Sequence, residues 1–322
     1  MTYSMNTAVY AILIAFVANI ILCPILIPYL IRLKFGQNIR SDGPASHAKK
    51  AGTPTMGGIM IIISFLLASL PFLRDNREGF AVMLATAAFG FIGFLDDFIS
   101  IMKKRSLGLR AYQKLLAQIV ISIVFVLYWR TLPGFSSILI IPFFPQISFD
   151  LGYFYPILVC FVFLSATNGA NLTDGLDGLA AGVTALIIVF FMFAAWMSES
   201  PVLPVIGAAV GSLMGFLLFN SHPARVIMGD TGSLALGGFV ASVSVMLRMP
   251  LFLVIVAVIY VIESLSVIIQ VGYFKLTHRR FFKMAPIHHS FELSGWAETR
   301  IVAFFYVITA MACLVGYLAL RA

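Results

Sequence analysis

Apolar residues run along this chain in ten stretches, at about 6 to 32, 56 to 73, 79 to 95, 112 to 129, 154 to 170, 179 to 196, 202 to 219, 233 to 248, 250 to 274 and 300 to 320. Most are long enough to cross a hydrocarbon layer of about 30 Å as a helix. Inside such a layer every backbone polar group needs an internal partner, which restricts the stretches to helices or a closed barrel. The pattern predicts an all-α integral membrane protein of about ten transmembrane helices. The first stretch is too long for the apolar part of a signal peptide and is read as a retained span. No polar stretch separates domains and no internal repeat is visible, so residues 1–322 are read as one polytopic domain. Between the fourth and fifth stretches, residues 130 to 153 alternate apolar positions with Pro133, Gly134, Pro142 and Pro145, which predicts a short hairpin.

Composition narrows the class. Mean hydropathy is +1.02 and charged residues make up 11% of the chain, which excludes an ordinary soluble domain. The net charge of +8 is distributed unevenly. When the stretches are threaded alternately, sixteen of the twenty-one lysines and arginines fall on one side, from Arg32 and Lys50 through Lys103, Lys114 and Arg225 to Arg300. The other side holds Arg74, Arg77, Arg130, Arg248 and Arg321. The positive-inside rule makes the first side cytoplasmic and leaves both termini, and the short hairpin, outside. Topogenic lysines and contact with anionic membrane lipids account for much of the charge, and an anionic substrate for the rest. No soluble module is present to hold nucleic acid. Cys23, Cys160 and Cys313 lie within apolar stretches without metal-ligand spacing and are read as small fillers.

The acids are few and clustered. A carboxylate within lipid costs roughly 2.5 to 3.5 kcal/mol on insertion scales, so acids held at the ends of apolar stretches need a function. Asp96 and Asp97 close the third stretch, and as neighbours on a helix they point about 100° apart and can do different jobs. The segment Asn168-Gly-Ala-Asn-Leu-Thr-Asp-Gly-Leu-Asp-Gly compresses amides, a hydroxyl and two carboxylates, Asp174 and Asp177, between two spans. Such oxygen-rich loops suit Mg²⁺, which binds through one or two carboxylates and substrate phosphates. A plain Asn-Gly or Asp-Gly turn is the simpler reading.

Asp230 opens the eighth stretch within Gly-Asp-Thr-Gly-Ser, where free backbone N–H groups suit phosphate, or where Asp230, Thr231 or Ser233 caps a helix. Lys50 precedes Gly-Thr-Pro-Thr-Met-Gly-Gly and combines a point charge for phosphate with hydroxyls, without a Walker A loop. Pro286-Ile-His-His-Ser-Phe-Glu places two imidazoles, His288 and His289, in the longest cytoplasmic loop. Glu263, deep in the ninth stretch, is the one acid placed as a transporter would place it.

In order, Lys-x-Gly-Thr-Pro-Thr-Met-Gly-Gly, Asp-Asp, Asn-Leu-Thr-Asp-Gly-Leu-Asp-Gly, Met-Gly-Asp-Thr-Gly-Ser and Pro-Ile-His-His-Ser-Phe-Glu resemble the phospho-N-acetylmuramoyl-pentapeptide-transferases, from about Gly36 to Trp296. The resemblance implies ten transmembrane helices and a homodimer in the bacterial plasma membrane, with the active site in cytoplasmic loops. It implies transfer of phospho-MurNAc-pentapeptide from UDP-MurNAc-pentapeptide to undecaprenyl phosphate, with Mg²⁺ as cofactor. By the same resemblance Asp230 is the metal ligand. Asp174 and Lys50 lie near the diphosphate and uridine, and His288 is an essential site residue. Thr55, Asn171, Asn220, Ser233, Gln270 and His289 match substrate-contacting positions. Asp96 or Asp97 is the expected acceptor of any proton left on the lipid phosphate, Asp177 builds the turn that presents Asp174, and Asp42 is a solvated loop residue. Ser290 replaces the third of three histidines usual in the family, and Ser100 stands where a lysine is common. The sister enzymes that move a phospho-N-acetylhexosamine to a polyprenyl phosphate share the aspartate motifs and remain the alternative.

Overall fold

The computed structural model describes residues 4–32, 52–103, 105 and 108–322. Lys50 and Asp42, both singled out above, lie outside the described residues. The described chain is an all-α membrane bundle: α1 Met5–Arg32, α2 Gly58–Ser69, α3 Arg77–Met102, α4 Ala111–Trp129, α5 Tyr155–Thr173, α6 Leu179–Met197, α7 Leu203–Asn220, α8 Gly229–Met246, a short α9 Leu253–Val256, α10 Val258–Thr277, a short α11 Ile287–Glu292, and α12 Glu298–Arg321. Between α4 and α5, β1 Ile138–Ile140 pairs antiparallel with β2 Ser148–Asp150, so the expected hairpin is present.

Among the described residues eight helices are long and apolar enough to cross a membrane. The two remaining expected spans differ for separate reasons. α2 has 12 residues, about 18 Å at 1.5 Å per residue, and a single 3₁₀ turn continues it to Phe72. α8 carries Asp230, Thr231 and two further serines beyond Ser233, and every residue from Thr231 to Met246 is buried. It is a central helix surrounded by protein, with α3, α5, α2 and α6 around it, and needs no lipid-compatible face.

Helix ends also run past the apolar stretches. α3 continues to Met102, so Asp96 and Asp97 sit inside its last turns, and α5 continues to Thr173, so the Asn168 motif is helical for half its length. The ninth stretch, expected as one span, is interrupted at Ala257, where φ −100° and ψ 32° leave the helical region. Hydrogen bonds from Ala257 to Leu253 and from Val261 to Ala257 carry the chain across this kink.

Close helix approach replaces hydrophobic burial as the organising force inside a bilayer, and small residues permit it. A β-carbon at Gly93 of α3 would overlap the backbone carbonyl of Asp230, and one at Gly58 would overlap the backbone of Gly232. α8 is thereby wedged against α2 and α3 at its first turn. Gly93→Ala is expected to separate α3 from α8 at a destabilisation of about 1–3 kcal/mol, the usual range for overpacking. Thermal unfolding in detergent measures it, and an unaltered transition would contradict the contact.

Candidate active site

The end of α5 organises the site through a three-residue spacing. Asn168, Asn171 and Asp177 each meet a different neighbour, and Asp174 leads into a fourth contact. The Asn168 amide donates to Gln118 Oε1 of α4 at 3.0 Å. Asn171 Nδ2 donates to Asp230 Oδ1 at 2.7 Å and to Ser233 Oγ at 2.9 Å. Asp174, the C-cap of α5, leads into Gly175, where a β-carbon would overlap His288 Nε2. Asp177 Oδ2 accepts from the backbone N of Ala224 at 3.0 Å and faces His222 Nδ1 at 3.2 Å. One helix end therefore touches four segments.

Asp230 is the centre of the first cluster. Its carboxylate is paired with the Lys114 ammonium of α4 and accepts the Asn171 amide. The Asp96 carboxyl lies beside Asp230 as well, close enough for each group to act on the charge of the other. Asp96 Oδ1 also accepts from the Leu109 backbone N at 2.9 Å, which ties the α3–α4 connection to the site.

Asp97 is differently employed. It accepts from the backbone N of Asp230 at 3.2 Å, the backbone N of Thr231 at 2.9 Å and the Thr231 hydroxyl at 2.6 Å. The first amides of α8 are thus capped by a carboxylate from another helix, the placement that complements a helix N-terminus. Two sequence expectations change. No side chain of the Gly-Asp-Thr-Gly-Ser turn caps α8, and the N–H groups of Asp230 and Thr231 are already bonded rather than available to phosphate. The pair Asp96–Asp97 divides as the 100° separation allows: one acid against Asp230, one on the backbone.

The second cluster is built on histidine. His288 is fully buried, and its Nδ1 lies 3.0 Å from Glu263 Oε1. The other oxygen of Glu263 accepts from the Ile287 backbone N at 2.8 Å. Glu263 is therefore no free mid-membrane acid of the transporter kind, because both its oxygens hold the start of α11. His288 Nε2 is buried and has no hydrogen-bond partner. His289 pairs locally, with Nδ1 2.7 Å from Glu292 Oε2.

A third group joins Asp177, His222 and Glu298, whose ligand atoms all lie within 4.8 Å of one another. His222 Nδ1 is 3.5 Å from Glu298 Oε2, and the Asp177 backbone N donates to Glu298 Oε1 at 2.7 Å. This group locks the α5–α6 turn to the α7–α8 connection and to α12, a wider role for Asp177 than presenting Asp174. The remaining expected residues have structural partners. Asn220 accepts from Gly178 N at 3.1 Å and donates to Val226 O at 2.9 Å. Gln270 Oε1 accepts from Phe281 N and Phe282 N, pinning the chain after α10. Thr55 is buried beside Gly229 and Asp97.

Hard oxygen donors suit Mg²⁺, whereas imidazole favours transition metals. The Asp96 and Asp230 oxygens fit Mg²⁺, and the Lys114 ammonium and the Asn171 amide donor against Asp230 show that this cluster draws positive charge. The Asp177 group, with a ring nitrogen and oxygens already bonded to backbone amides, fits it less well.

Sequence reasoning counted Lys114 only among the basic residues and did not weigh His222 or Glu298. Lys114 lies three positions into α4, and a lysine placed just inside an apolar span with no local acid was the signal available.

The pattern of glycosyl transferase family 4 matches residues 79–248, and signature 1 of phospho-N-acetylmuramoyl-pentapeptide-transferase matches residues 50–62. The chain is 48% identical to the phospho-N-acetylmuramoyl-pentapeptide-transferase of Clostridium novyi (strain NT) over 98% of both chains. It is 49% identical to that of Clostridioides difficile (strain 630), over 96% of this chain and 97% of the relative. With that of Oceanobacillus iheyensis the identity is 47%, over 95% of both.

Proposed function

The chain belongs to the phospho-N-acetylmuramoyl-pentapeptide-transferase family, and from that membership we propose that it transfers phospho-MurNAc-pentapeptide from UDP-MurNAc-pentapeptide to undecaprenyl phosphate, forming lipid I and releasing UMP. The observation that carries the reading to particular atoms is the Asp230 cluster, where Lys114, Asn171 and Asp96 converge on one carboxylate.

The reaction joins an anionic lipid phosphate to an anionic diphosphate, so charge neutralisation and in-line positioning dominate its barrier. Mg²⁺, when bound, supplies positive charge to the diphosphate oxygens and to the departing UMP. Asp230 would hold it, with Asp96 at its side and the Asn171 amide N–H orienting the Asp230 carboxylate. Lys114 adds a fixed positive charge beside the same oxygens, and Lys50 a second from the cytoplasmic loop. Asp97 keeps the first turn of α8 in place and so fixes where Asp230 points. Asp96 is the better placed of the two to receive a residual proton from the lipid phosphate, whose second pKa lies near 6 by analogy with phosphoserine. His288 and Asp174 flank the Gly175 turn on the far side of α5. Thr55, Asn220, Ser233, Gln270 and His289 shape the surrounding substrate pocket.

In the membrane we read α2 and α8 as crossing with the other eight helices, ten in all, with both termini and the β-hairpin outside. The site then faces the cytoplasm of a bacterial cell, at the end of the bundle that carries Lys103, Arg105, Arg110 and Arg225. Residues 1–322 act as one domain, and two copies form a homodimer.

The test uses purified protein with Mg²⁺ and undecaprenyl phosphate, offered radiolabelled UDP-MurNAc-pentapeptide or UDP-GlcNAc. Labelled lipid from the first alone is expected. Label from UDP-GlcNAc alone would assign the chain to the sister enzymes, and label from neither would refute the transferase reading.

A further inference from the structure

We propose that Glu263 is a positioning residue for the transfer reaction: it fixes the tautomer and orientation of His288 so that the Nε2 atom is presented to the substrate beside Gly175. The inference rests on the transferase reading for the identity of the substrate, and on geometry for the rest.

Glu263 lies on α10, a membrane-spanning helix, and is fully buried. An ionised carboxylate is acceptor only. One of its oxygens accepts the Ile287 N–H at 2.8 Å and the other faces His288 Nδ1 at 3.0 Å. In the proposal Glu263 acts as the acceptor on this edge too, so that Nδ1 carries the proton and the Glu263 bond sets the tautomer of the neutral ring. Nε2 is then a hydrogen-bond acceptor and, once protonated, a donor whose charge Glu263 offsets.

Nε2 is one of three buried side-chain polar atoms, with Ser69 Oγ and Gln118 Nε2, that have no hydrogen-bond partner among the described residues. A buried polar atom of this kind calls for a ligand or a water. It points at Gly175, where even a β-carbon would collide with it, and Gly175 directly follows Asp174. The His289 ring packs on the other side, with centroids 4.1 Å apart. The imidazole is thus held on one edge by α10 and packed against its neighbour, with Nε2 directed at the α5–α6 turn. Carboxylates orient imidazoles in the same way in catalytic triads and behind metal-bound histidines. Here the carboxylate comes from a helix 25 residues earlier in sequence.

Glu263→Gln tests the proposal with little change of shape. A glutamine amide offers one acceptor and one donor, and the Ile287 N–H requires the acceptor. The amide donor then faces Nδ1, which must give up its proton, so the neutral ring carries its hydrogen on Nε2. The expected loss in kcat is about 10- to 100-fold, the range for residues that orient a reactive group from behind, with KM for UDP-MurNAc-pentapeptide changed by less than about threefold, since transition-state and ground-state losses separate in this way. In a His288→Gln background Glu263→Gln is expected to cost nothing further, because a residue that acts only through His288 has nothing left to orient.

Nitrogen NMR of protein labelled at histidine reads the tautomer without any assay of activity, and in the unaltered protein without any variant. A proton on Nδ1 of His288 in the parent and on Nε2 in Glu263→Gln is expected. A parent ring protonated on Nε2, or additive losses in the double variant, would overturn the proposal. A parent protein that makes no labelled lipid, yet shows the tautomer exchange, would instead count against the transferase reading.

Discussion

Replacing Asp230 with asparagine is expected to reduce labelled-lipid formation by about 10³-fold, the scale of losing one preorganised electrostatic group from a closed site. The side chain keeps its shape, and its carbonyl can still accept the Asn171 amide now at 2.7 Å. What disappears is the negative charge. Lys114 loses its partner, Asp96 loses the acid it faces, and Mg²⁺ loses its expected ligand. The first turn of α8 is held by Asp97 through backbone N–H groups at 3.2 and 2.9 Å, and this support is indifferent to the Asp230 side chain. The variant should therefore fold and melt close to the parent protein. Higher Mg²⁺ should restore little activity. A rate within tenfold of the parent would remove Asp230 from the centre of the reaction and leave the cluster as an internal salt bridge.

The contrast with Asp97 shows what the chain reveals by itself and what it withholds. Period and length disclosed every long helix, because an apolar run of about 20 residues has few other uses. They misplaced the ends of α3 and α5, where polar residues continue the helix past the apolar stretch to Met102 and Thr173. The motifs singled out Asp96, Asp97 and Asp230, which the structure brings together. They were silent on division of labour, since Asp96 and Asp97 are chemically identical and only the approach of α3 to α8, permitted by Gly93, assigns one to Asp230 and the other to the α8 backbone. Glu263 was noted only for its depth in the ninth stretch, for a related reason. An acid deep in an apolar stretch resembles a transport site until its partners are known, and these lie 24 and 25 residues away, in a loop that sequence cannot fold back onto α10. The every-third-residue spacing of Asn168, Asn171, Asp174 and Asp177 was visible on the page. Its meaning required knowing that α5 persists to Thr173, which leaves Asn168 and Asn171 on the helix, Asp174 as its C-cap and Asp177 in the turn beyond.

Lys114→Met is the second change with a large expected effect, and its direction with respect to metal separates two roles for the lysine. If Lys114 served only to neutralise Asp230 in the empty site, its removal would leave the reaction rate at saturating Mg²⁺ almost unchanged. If instead it stabilises charge developing on the diphosphate, kcat should fall by about 10²- to 10³-fold at every Mg²⁺ concentration, because a fixed cation in a water-poor site acts on the transition state. The position of Lys114, in contact with Asp230 and within the electrostatic reach of Asp96 and Asp97, supports the second role. The same position makes it a competitor for the metal, since two cations near one carboxylate repel. The variant should accordingly reach half its own maximal rate at a lower Mg²⁺ concentration than the parent. A Mg²⁺ titration of initial rates reads both quantities at once: lower kcat with tighter apparent Mg²⁺ use is expected, and lower kcat with weaker Mg²⁺ use would recast Lys114 as a residue that helps assemble the metal site. Methionine keeps the unbranched apolar stem of the side chain and drops its charge, and an unchanged melting transition would place the effect in the chemistry.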